Sequence, residues 1–394
     1  MLRSGQIIQL LVITMLAFGV VMVHSAAMSV GGDSLFSWRA LLTSRYTLHA
    51  VAAVAAMLLA GRLDLRQLQR ARAWRNPMWW LLAAGLVLMI LAVTSWVGKE
   101  AHGASRWITI GTEEGGISFQ PSELMKWLML PIIAWWCWRC RLRGVMGSFV
   151  WGLCPVLLLI GGVCYLIVDE DLGTGVLVGA VALLMLLAGG ARVWQLLLLL
   201  PPAVAFVALA IWQDPYRLQR LITFVNPWAD PQGAGYQPIQ SMLALAEGGL
   251  TGRGLGNGIM KFGYLPADTS DFVFAVICEE LGLAGAAAVA AMIIAVIWTG
   301  VTIMRQSRDA FMRLVALGIV MTFALQSIFN IAVVTVSVPT KGIALPLISA
   351  GGTGLVLTAF SLGLLAALDQ INRLEADEEF VAEAQPQTPQ TMTG

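Results

Sequence analysis

Four acidic side chains lie at the start of an otherwise apolar segment, in the stretch YLPADTSDFVFAVICEELG at residues 264–282. Asp268 and Asp271 precede the apolar run, and Glu279 and Glu280 lie inside it. Carboxylates in such a segment are costly unless they have partners or a function. Asp271 has two compatible interpretations. It is a helix N-cap that accepts amide protons, or a general base at the membrane boundary.

The two glutamates are predicted to have a different role from Asp271. At about 100° per residue in a helix, Glu280 points opposite Asp271, and Glu279 points about a quarter turn away from it. They therefore cannot form a carboxylate dyad with Asp271. A buried glutamate in a membrane span usually faces the bundle interior and has a partner, so we predict structural pairing for Glu279 and Glu280.

A second charged pair lies in the stretch FQPSELMKW, where Glu123 and Lys126 are three residues apart in an apolar segment. Side chains at this spacing are neighbours on one helix face, so an ion pair is predicted. The pair either fixes helix packing or lines a polar cavity that opens to the outer side.

A segment rich in proline and glycine, SVPTKGIALPLISAGGTG at residues 337–354, separates two apolar segments. Non-helical backbone at membrane depth is tolerated only inside protein or along a cavity, so Lys341 is expected to point into a cavity. A cation beside free backbone amides suits a pyrophosphate. Arg106, Arg217 and Arg220 are further cations in predicted outer loops. Each either shares this task or is an ordinary solvated charge.

The composition indicates the kind of protein that positions these residues. Hydrophobic residues make up 58% of the 394 residues and charged residues 12%, and the mean hydropathy is +0.78. These values are typical of a membrane protein. The net charge of +1 gives no argument for nucleic-acid binding. The five cysteines predict no disulfide framework, and the three scattered histidines predict no built-in transition-metal site.

The expected fold is an all-α polytopic membrane protein with about ten helices, because ten apolar segments are long enough to cross a bilayer about 30 Å thick. They lie near residues 7–27, 41–60, 77–97, 122–138, 148–168, 171–188, 194–212, 272–304, 314–338 and 353–371.

Arginine-rich loops predict the orientation of this domain. The loops after the second, fourth and eighth segments are basic and therefore cytoplasmic, which leaves both termini in the cytoplasm. We expect a ten-helix membrane domain at 1–371, with a long ordered outer loop at 213–270 between the seventh and eighth helices. Residues 372–394 are expected to form a disordered cytoplasmic tail.

Several motifs resemble those of a known family. GASRWITIG, FQPSELMK, DLGTG, NPWADPQGAGYQPIQSMLALAEGGLTGRGLG, DFVFAVICEELG and PTKGIALPLISAGG occur in the order found in the SEDS proteins, the FtsW and RodA group. The resemblance covers nearly the whole chain as far as Ile371. NPWADP and PTKG are more similar to the division-type FtsW branch than to the elongation-type RodA branch.

The resemblance implies a peptidoglycan glycosyltransferase that polymerises lipid II by inverting transfer on the outer face of the bacterial cytoplasmic membrane. It also implies action at the division septum, with a class B penicillin-binding protein and other divisome proteins as partners. The aspartate of the family's T-D-F stretch, which polymerisation requires, corresponds to Asp271. No cofactor is built in, although a divalent cation, Mg2+ or Mn2+, would suit the leaving pyrophosphate. The expected substrate-binding residues are Lys341, Arg106, Arg217, Arg220, Glu123, Lys126, Gln120 and Ser349.

The chain departs from the family pattern at two motifs. The usual P-E-x-H-T-D-F is replaced by PADTSDF at residues 266–272, which lacks the glutamate and the histidine, and Asp268 is a candidate substitute for the missing acid. The usual S-Y-G-G-S-S is replaced by SAGGTG at residues 349–354. Both departures leave Asp271 in place.

Two other functions are compatible with a polytopic protein that has a polar cavity. One is a flippase that moves lipid-linked precursors across the membrane, and the other is a scaffold without activity that recruits a transpeptidase. The acids and cations that could act are predicted on the outer side alone, and no inverted repeat is evident. Both observations favour the enzyme over a transporter.

Overall fold

The computed structural model describes residues 2–27, 44–70, 75–93, 98–101, 104–110, 117–262 and 264–384. Its α-helices are α1 (Ser4–Ala26), α2 (Arg45–Ala60), α3 (Arg66–Arg70), α4 (Pro77–Val93), α5 (Pro121–Leu142), α6 (Cys154–Glu170), α7 (Leu172–Ala188), α8 (Val193–Leu197), α9 (Leu200–Trp212), α10 (Pro215–Val225), α11 (Tyr236–Gly248), α12 (Val273–Gln306), α13 (Ala310–Val334) and α14 (Gly352–Ala384). A π-helical turn, Phe149–Leu153, leads into α6, and a 3₁₀ turn, Pro227–Ala229, follows α10.

The helices have the length and composition of membrane spans. Within the described residues, six helical segments are long and apolar enough to cross a membrane: Ser4–Ala26, Phe149–Val168, Val193–Trp212, Val273–Gln306, Ala310–Val334 and Gly352–Glu379. Three shorter apolar helices are Arg45–Ala60, Pro77–Ala92 and Leu172–Ala188. Helical structure coincides with each of the ten predicted apolar segments. The helical membrane fold is therefore confirmed, whereas the number of spans stays a prediction.

A small β-sheet lies between α4 and α5 and was not predicted. Strands β1 (Gly98–Ala101), β2 (Ala104–Ile110) and β3 (Ile117–Phe119) form an antiparallel sheet in the order β1-β2-β3. The backbone of β2 pairs with both neighbours. Strand β2 has the sequence ASRWITI, which is rich in the aromatic and β-branched residues that favour strands. The fold is therefore helical with one small sheet.

Helix α14 lies at the centre of the bundle, where it contacts α1, α2, α5, α12 and α13. Its approach to α2 is very close, since a Cβ atom added at Gly363 would lie 2.3 Å from the Met57 carbonyl oxygen. Small residues permit such backbone approach between membrane helices, and α2 is correspondingly rich in alanine. Helices α12 and α13 pack against each other and each also contacts α14.

Helix α12 is broken at Gly282, where φ is 63° and ψ is −159°. The glycine-rich segment after α11 supplies hydrogen bonds on both sides of the break. The Arg253 amide donates to the Glu279 carbonyl at 3.0 Å, and the Leu283 amide donates to the Gly249 carbonyl at 2.9 Å. The run GGLTGRGLGNG thus forms tight backbone turns, and these turns satisfy backbone groups that the break leaves free.

The predicted disordered tail begins inside α14, which continues to Ala384. Ion pairs join this extension to α3 and to the loop between α12 and α13. Glu375 contacts Arg66 at 3.2 Å, and Glu379 contacts Arg308. Residues 372–384 are therefore helical rather than disordered, and two of their acidic residues pair with arginines. Residues 385–394 lie outside the described residues.

Candidate functional site

A polar cavity of about 490 Å³ lies where α5, α7, α10, α13 and α14 meet the segments that precede α12 and α14. It brings together residues that are distant in sequence. Seven of the nine predicted site residues line it: Gln120, Glu123, Lys126, Arg220, Asp271, Lys341 and Ser349.

The ion pair on α5 is confirmed and faces this cavity. Lys126 Nζ lies 2.7 Å from Glu123 Oε2 and donates to Gln326 Oε1 at 2.8 Å. The Lys126 side chain is 2% exposed, so its charge depends on these partners. Gln326 was not predicted. Its amide donates to the Ala344 carbonyl at 3.0 Å and so connects the pair to the segment before α14.

Asp271 lies before α12 and beside the segment that contains Lys341. Helix α12 begins at Val273 with Phe272 at the N-cap position, so the prediction that Asp271 is the N-cap is wrong. The reason is a tight turn in the preceding loop, where the Asp271 amide donates to the Ala267 carbonyl at 3.1 Å. A Cβ atom added at Gly342 would lie 2.9 Å from Asp271 Oδ2. The carboxylate therefore lies against the backbone next to Lys341.

The Lys341 side chain packs against the first turn of α7. A Cβ atom added at Gly173 would lie 3.2 Å from Lys341 Cδ and 3.3 Å from Asp171 Oδ1. Asp171 caps α7 and accepts from the Gly173 amide at 2.9 Å and from the Thr174 hydroxyl at 2.7 Å. Asp171 and Thr174 also line the cavity. Neither residue was predicted as a site residue, although the motif DLGTG contains both.

The predicted outer-loop arginines differ in their positions. Arg220 lines the cavity, donates to the Thr340 carbonyl at 3.1 Å and lies 4.5 Å from the centre of the Tyr216 ring. Arg217 does not line the cavity, and its Nε lies 2.9 Å from Asp214 Oδ2. Arg106 is on β2, but its side chain lies outside the described part of the structure.

Ser349 and Gln120 occupy two edges of the cavity. Ser349 is buried, and its hydroxyl accepts from the Leu345 amide at 2.8 Å, which stabilises the turn before α14. Gln120 is at the N-cap position of α5, without a side-chain capping bond. Gln120 is partly exposed.

Glu279 and Glu280 lie outside the cavity and are structurally paired, as predicted, although the sequence did not identify their partners. Glu280 accepts from the Ser25 hydroxyl at 2.7 and 2.8 Å and from Lys261 Nζ at 2.8 Å. Glu279 accepts from the Ile259 amide at 2.6 Å. Lys261 was missed, because a single lysine in a glycine-rich loop gives no signal of burial.

Asp268, the other candidate acid, does not line the cavity. Its Oδ1 accepts from the Thr269 amide at 2.7 Å. Burial raises the pKa of Asp268 above its ordinary value, and this hydrogen bond opposes the shift.

The cavity does not form a metal site from protein ligands alone. No group of three His, Cys, Asp or Glu side chains able to hold a metal ion occurs in the described part of the chain. A requirement for Mg2+ or Mn2+ therefore stays a prediction.

Comparison with known sequences identifies relatives over most of the chain. The family profile described as "Cell cycle protein", which covers FtsW, RodA and SpoVE, matches residues 6–374. A protein named "Probable peptidoglycan glycosyltransferase FtsW" from Geobacter metallireducens is 36% identical over 364 residues, which cover 92% of this chain and 94% of the relative. A protein of the same name from Escherichia coli is 34% identical over 370 residues, which cover 93% of this chain and 86% of that protein.

Solved structures have the same fold. A structure described as "Structural coordination of polymerization and crosslinking by a peptidoglycan synthase complex" matches with a TM-score of 0.70 and 26% identity, covering 93% of this chain and 97% of that chain. The Rod shape determining protein RodA of Thermus thermophilus matches with a TM-score of 0.64 and 22% identity, covering 93% and 96%. The family match and the sequence identities together show that this chain belongs to the SEDS family of membrane proteins, the family of FtsW and RodA.

Proposed function

We propose that this protein is a division-type peptidoglycan glycosyltransferase, which polymerises lipid II on the outer face of the cytoplasmic membrane. The observation that carries the proposal is the shared cavity, in which the Asp271 carboxylate lies against the backbone next to Lys341. The name of the FtsW relatives supports both the activity and the division-type branch.

The proposed reaction forms one glycosidic bond and breaks one bond to pyrophosphate. The 4-hydroxyl of the GlcNAc in lipid II attacks the anomeric carbon of a glycan attached to polyprenyl pyrophosphate. Asp271 accepts the hydroxyl proton as the carbon–oxygen bond forms. The pyrophosphate leaves from the opposite face, so the anomeric configuration is inverted.

Cations in the cavity match the charge of the leaving group. Lys341 and Arg220 line the same space as Asp271, and fixed charges stabilise a departing pyrophosphate without reorganisation during the reaction. Lys126 is held by Glu123 and Gln326, so we assign this cluster to the wall that orients the substrate. Gln120 and Ser349 add polar contacts along that wall. Arg106 and Arg217 stay candidates for contacts with the lipid headgroup.

A divalent cation would be held jointly by carboxylates of the protein and by the pyrophosphate of the substrate. Magnesium is usually held by one or two carboxylates together with substrate phosphates. Asp171 lines the cavity with Asp271 and would supply such a carboxylate. Binding of Mn2+ to the purified protein, with and without lipid II, measures this requirement separately from turnover.

The proposed setting is the division septum, with both termini in the cytoplasm. A class B penicillin-binding protein would crosslink the new strand, and divisome proteins would recruit the pair. The similar solved structure described as a peptidoglycan synthase complex supports a partner of this kind.

The test is polymerisation of labelled lipid II by purified wild-type protein and by Asp271→Asn, each with and without a class B partner. Wild type should produce glycan polymer. The variant should fold and bind the partner but produce none, because an amide cannot accept the proton. Asp230→Asn is a matched control, since Asp230 is an outer-loop acid that does not line the cavity.

The alternatives give different outcomes in the same preparation. Translocation of lipid II across vesicles without polymer would indicate a flippase. Neither product from a folded, partner-bound wild type would indicate a scaffold. Normal polymerisation by folded Asp271→Asn would show that another group is the base.

A further inference from the structure

Asn330 is a fully buried polar residue in the apolar helix α13, and its amide joins two cavity segments. Asn330 Nδ2 donates to the Asp271 carbonyl oxygen at 2.8 Å and to the Ile343 carbonyl oxygen at 2.6 Å. An asparagine amide has two donor hydrogens, so one side chain satisfies both carbonyls.

The two segments that Asn330 joins hold the charges proposed to act in the reaction. One ends at Asp271, and the other contains Lys341. The Ile343 amide donates to the Lys341 carbonyl at 3.1 Å, so the second segment is a compact turn. Gly342, the residue after Lys341, packs directly against the Asp271 carboxylate. Because the Asn330 amide holds both backbone segments, it also fixes the distance between the Asp271 carboxylate and the segment that contains Lys341.

Gln326 lies one helical turn before Asn330 and holds the same segment at the next residue. Its amide donates to the Ala344 carbonyl at 3.0 Å, while its oxygen accepts from Lys126. One face of α13 thus contacts the Lys341 segment twice, but only Asn330 also reaches Asp271.

The side-chain oxygen of Asn330, its Oδ1 atom, argues against a purely stabilising role for this residue. Asn330 Oδ1 is buried and has no hydrogen-bond partner among the described residues. An unpaired buried acceptor reduces stability. The donors, rather than the acceptor, are therefore the atoms that this position uses.

We propose that Asn330 is a positioning residue that holds Asp271 at the correct distance from the Lys341 segment for proton acceptance. This inference rests on the proposed glycosyltransferase function. Asn330 itself contacts backbone and not the reacting atoms. Because small displacements of a catalytic group reduce turnover strongly, its loss should lower kcat and leave lipid II binding nearly unchanged.

The experiment compares Asn330→Ala and Asn330→Asp with wild type in complex with the partner. Asn330→Ala removes both donors, and kcat per folded enzyme should fall about 10- to 100-fold, with KM close to that of wild type. Asn330→Asp keeps the shape. When protonated it donates to only one carbonyl, so its kcat should lie between those of Asn330→Ala and wild type.

Ser327→Ala is the matched control. Ser327 is equally buried on α13, and its hydroxyl donates to the Phe323 carbonyl of the same helix at 2.8 Å. This variant removes one buried side-chain hydrogen bond, whereas Asn330→Ala removes two, and the bond that it removes joins neither cavity segment. Its kcat and KM should both stay close to those of wild type.

Three results would overturn the inference. They are a wild-type kcat in folded Asn330→Ala, a loss expressed mainly in KM, or a failure of both Asn330 variants to fold. The parallel assay of Asp271→Asn separates this failure from that of the proposed function. If Asp271→Asn is inactive and the Asn330 variants are normal, the positioning role alone is wrong. If Asp271→Asn is active, the proposed catalytic role of Asp271 is wrong.

Discussion

Replacing Lys261 by methionine would leave the Glu280 carboxylate buried without its cation. In the folded protein both side chains of this pair are 0% exposed, and Lys261 Nζ lies 2.8 Å from Glu280 Oε1. Lys261 also donates to the Ser25 hydroxyl at 3.2 Å and to the Gly256 carbonyl at 2.8 Å. The pair therefore joins α1, α12 and the glycine-rich loop at one buried point.

The expected loss follows from the complete burial of the pair. Removing one partner of a buried ion pair typically costs about 3–5 kcal/mol, because the other charge is left uncompensated. Glu280 keeps bonds from Ser25 and from the Gly256 amide at 3.0 Å, so we expect Lys261→Met to fall near the lower value. Lys261→Met with Glu280→Gln should be more stable than Lys261→Met alone, because no unpaired charge remains.

The assay is unfolding by SDS in mixed micelles, followed by the fluorescence of the 15 tryptophans. A control cycle uses Arg308 and Glu379, which are 61% and 56% exposed. This exposed pair should contribute at most about 1 kcal/mol. Equal unfolding free energies for Lys261→Met and wild type, or additive effects at Lys261 and Glu280, would refute the reasoning.

Further predictions concern the cavity and its loop. Lys341→Ala should weaken lipid II binding by about 2 kcal/mol, the cost of losing a charge-assisted contact, and an unchanged dissociation constant would contradict this. Glu123→Gln and Lys126→Met should be non-additive in stability and in turnover, because the two side chains form one pair, and additive effects in a double-mutant cycle would contradict that coupling. Burial raises the pKa of Asp268 in the folded state, so the folded chain binds more protons than the unfolded chain between the two pKa values, and stability falls as pH rises through that interval. Asp268→Asn should remove this fall, and melting temperatures of variant and wild type that follow the same pH dependence would argue against it.

Much of the fold follows from local sequence. Each of the ten predicted apolar segments coincides with helical structure, because burial in lipid or in the bundle requires long apolar helices. The Glu123–Lys126 pair was predicted because spacing along one helix fixes which side chains are neighbours. The sheet and the helical extension after residue 371 were not predicted, since both depend on pairing with other segments.

The sequence predicted which residues belong to the site but not which residues hold them in place. Motifs indicated Asp271 and Lys341, and the structure adds the residues that join them. Gln326 and Asn330 each look like a single polar residue in an apolar helix. Their roles become visible only when α13 packs against both segments. The position of Arg217 outside the cavity likewise depends on how α10 packs.

The membrane class, the helical segments, the family resemblance and the ion pair within one helix could all be predicted from the sequence. Tertiary structure alone decided that Glu280 pairs with Ser25 and Lys261, and that Lys126 pairs with Gln326. These contacts join residues 255, 19 and 200 positions apart. The periodicity of a helix fixes neighbours only within a few residues. Which distant groups satisfy a buried charge depends on how the helices pack and where their backbones break.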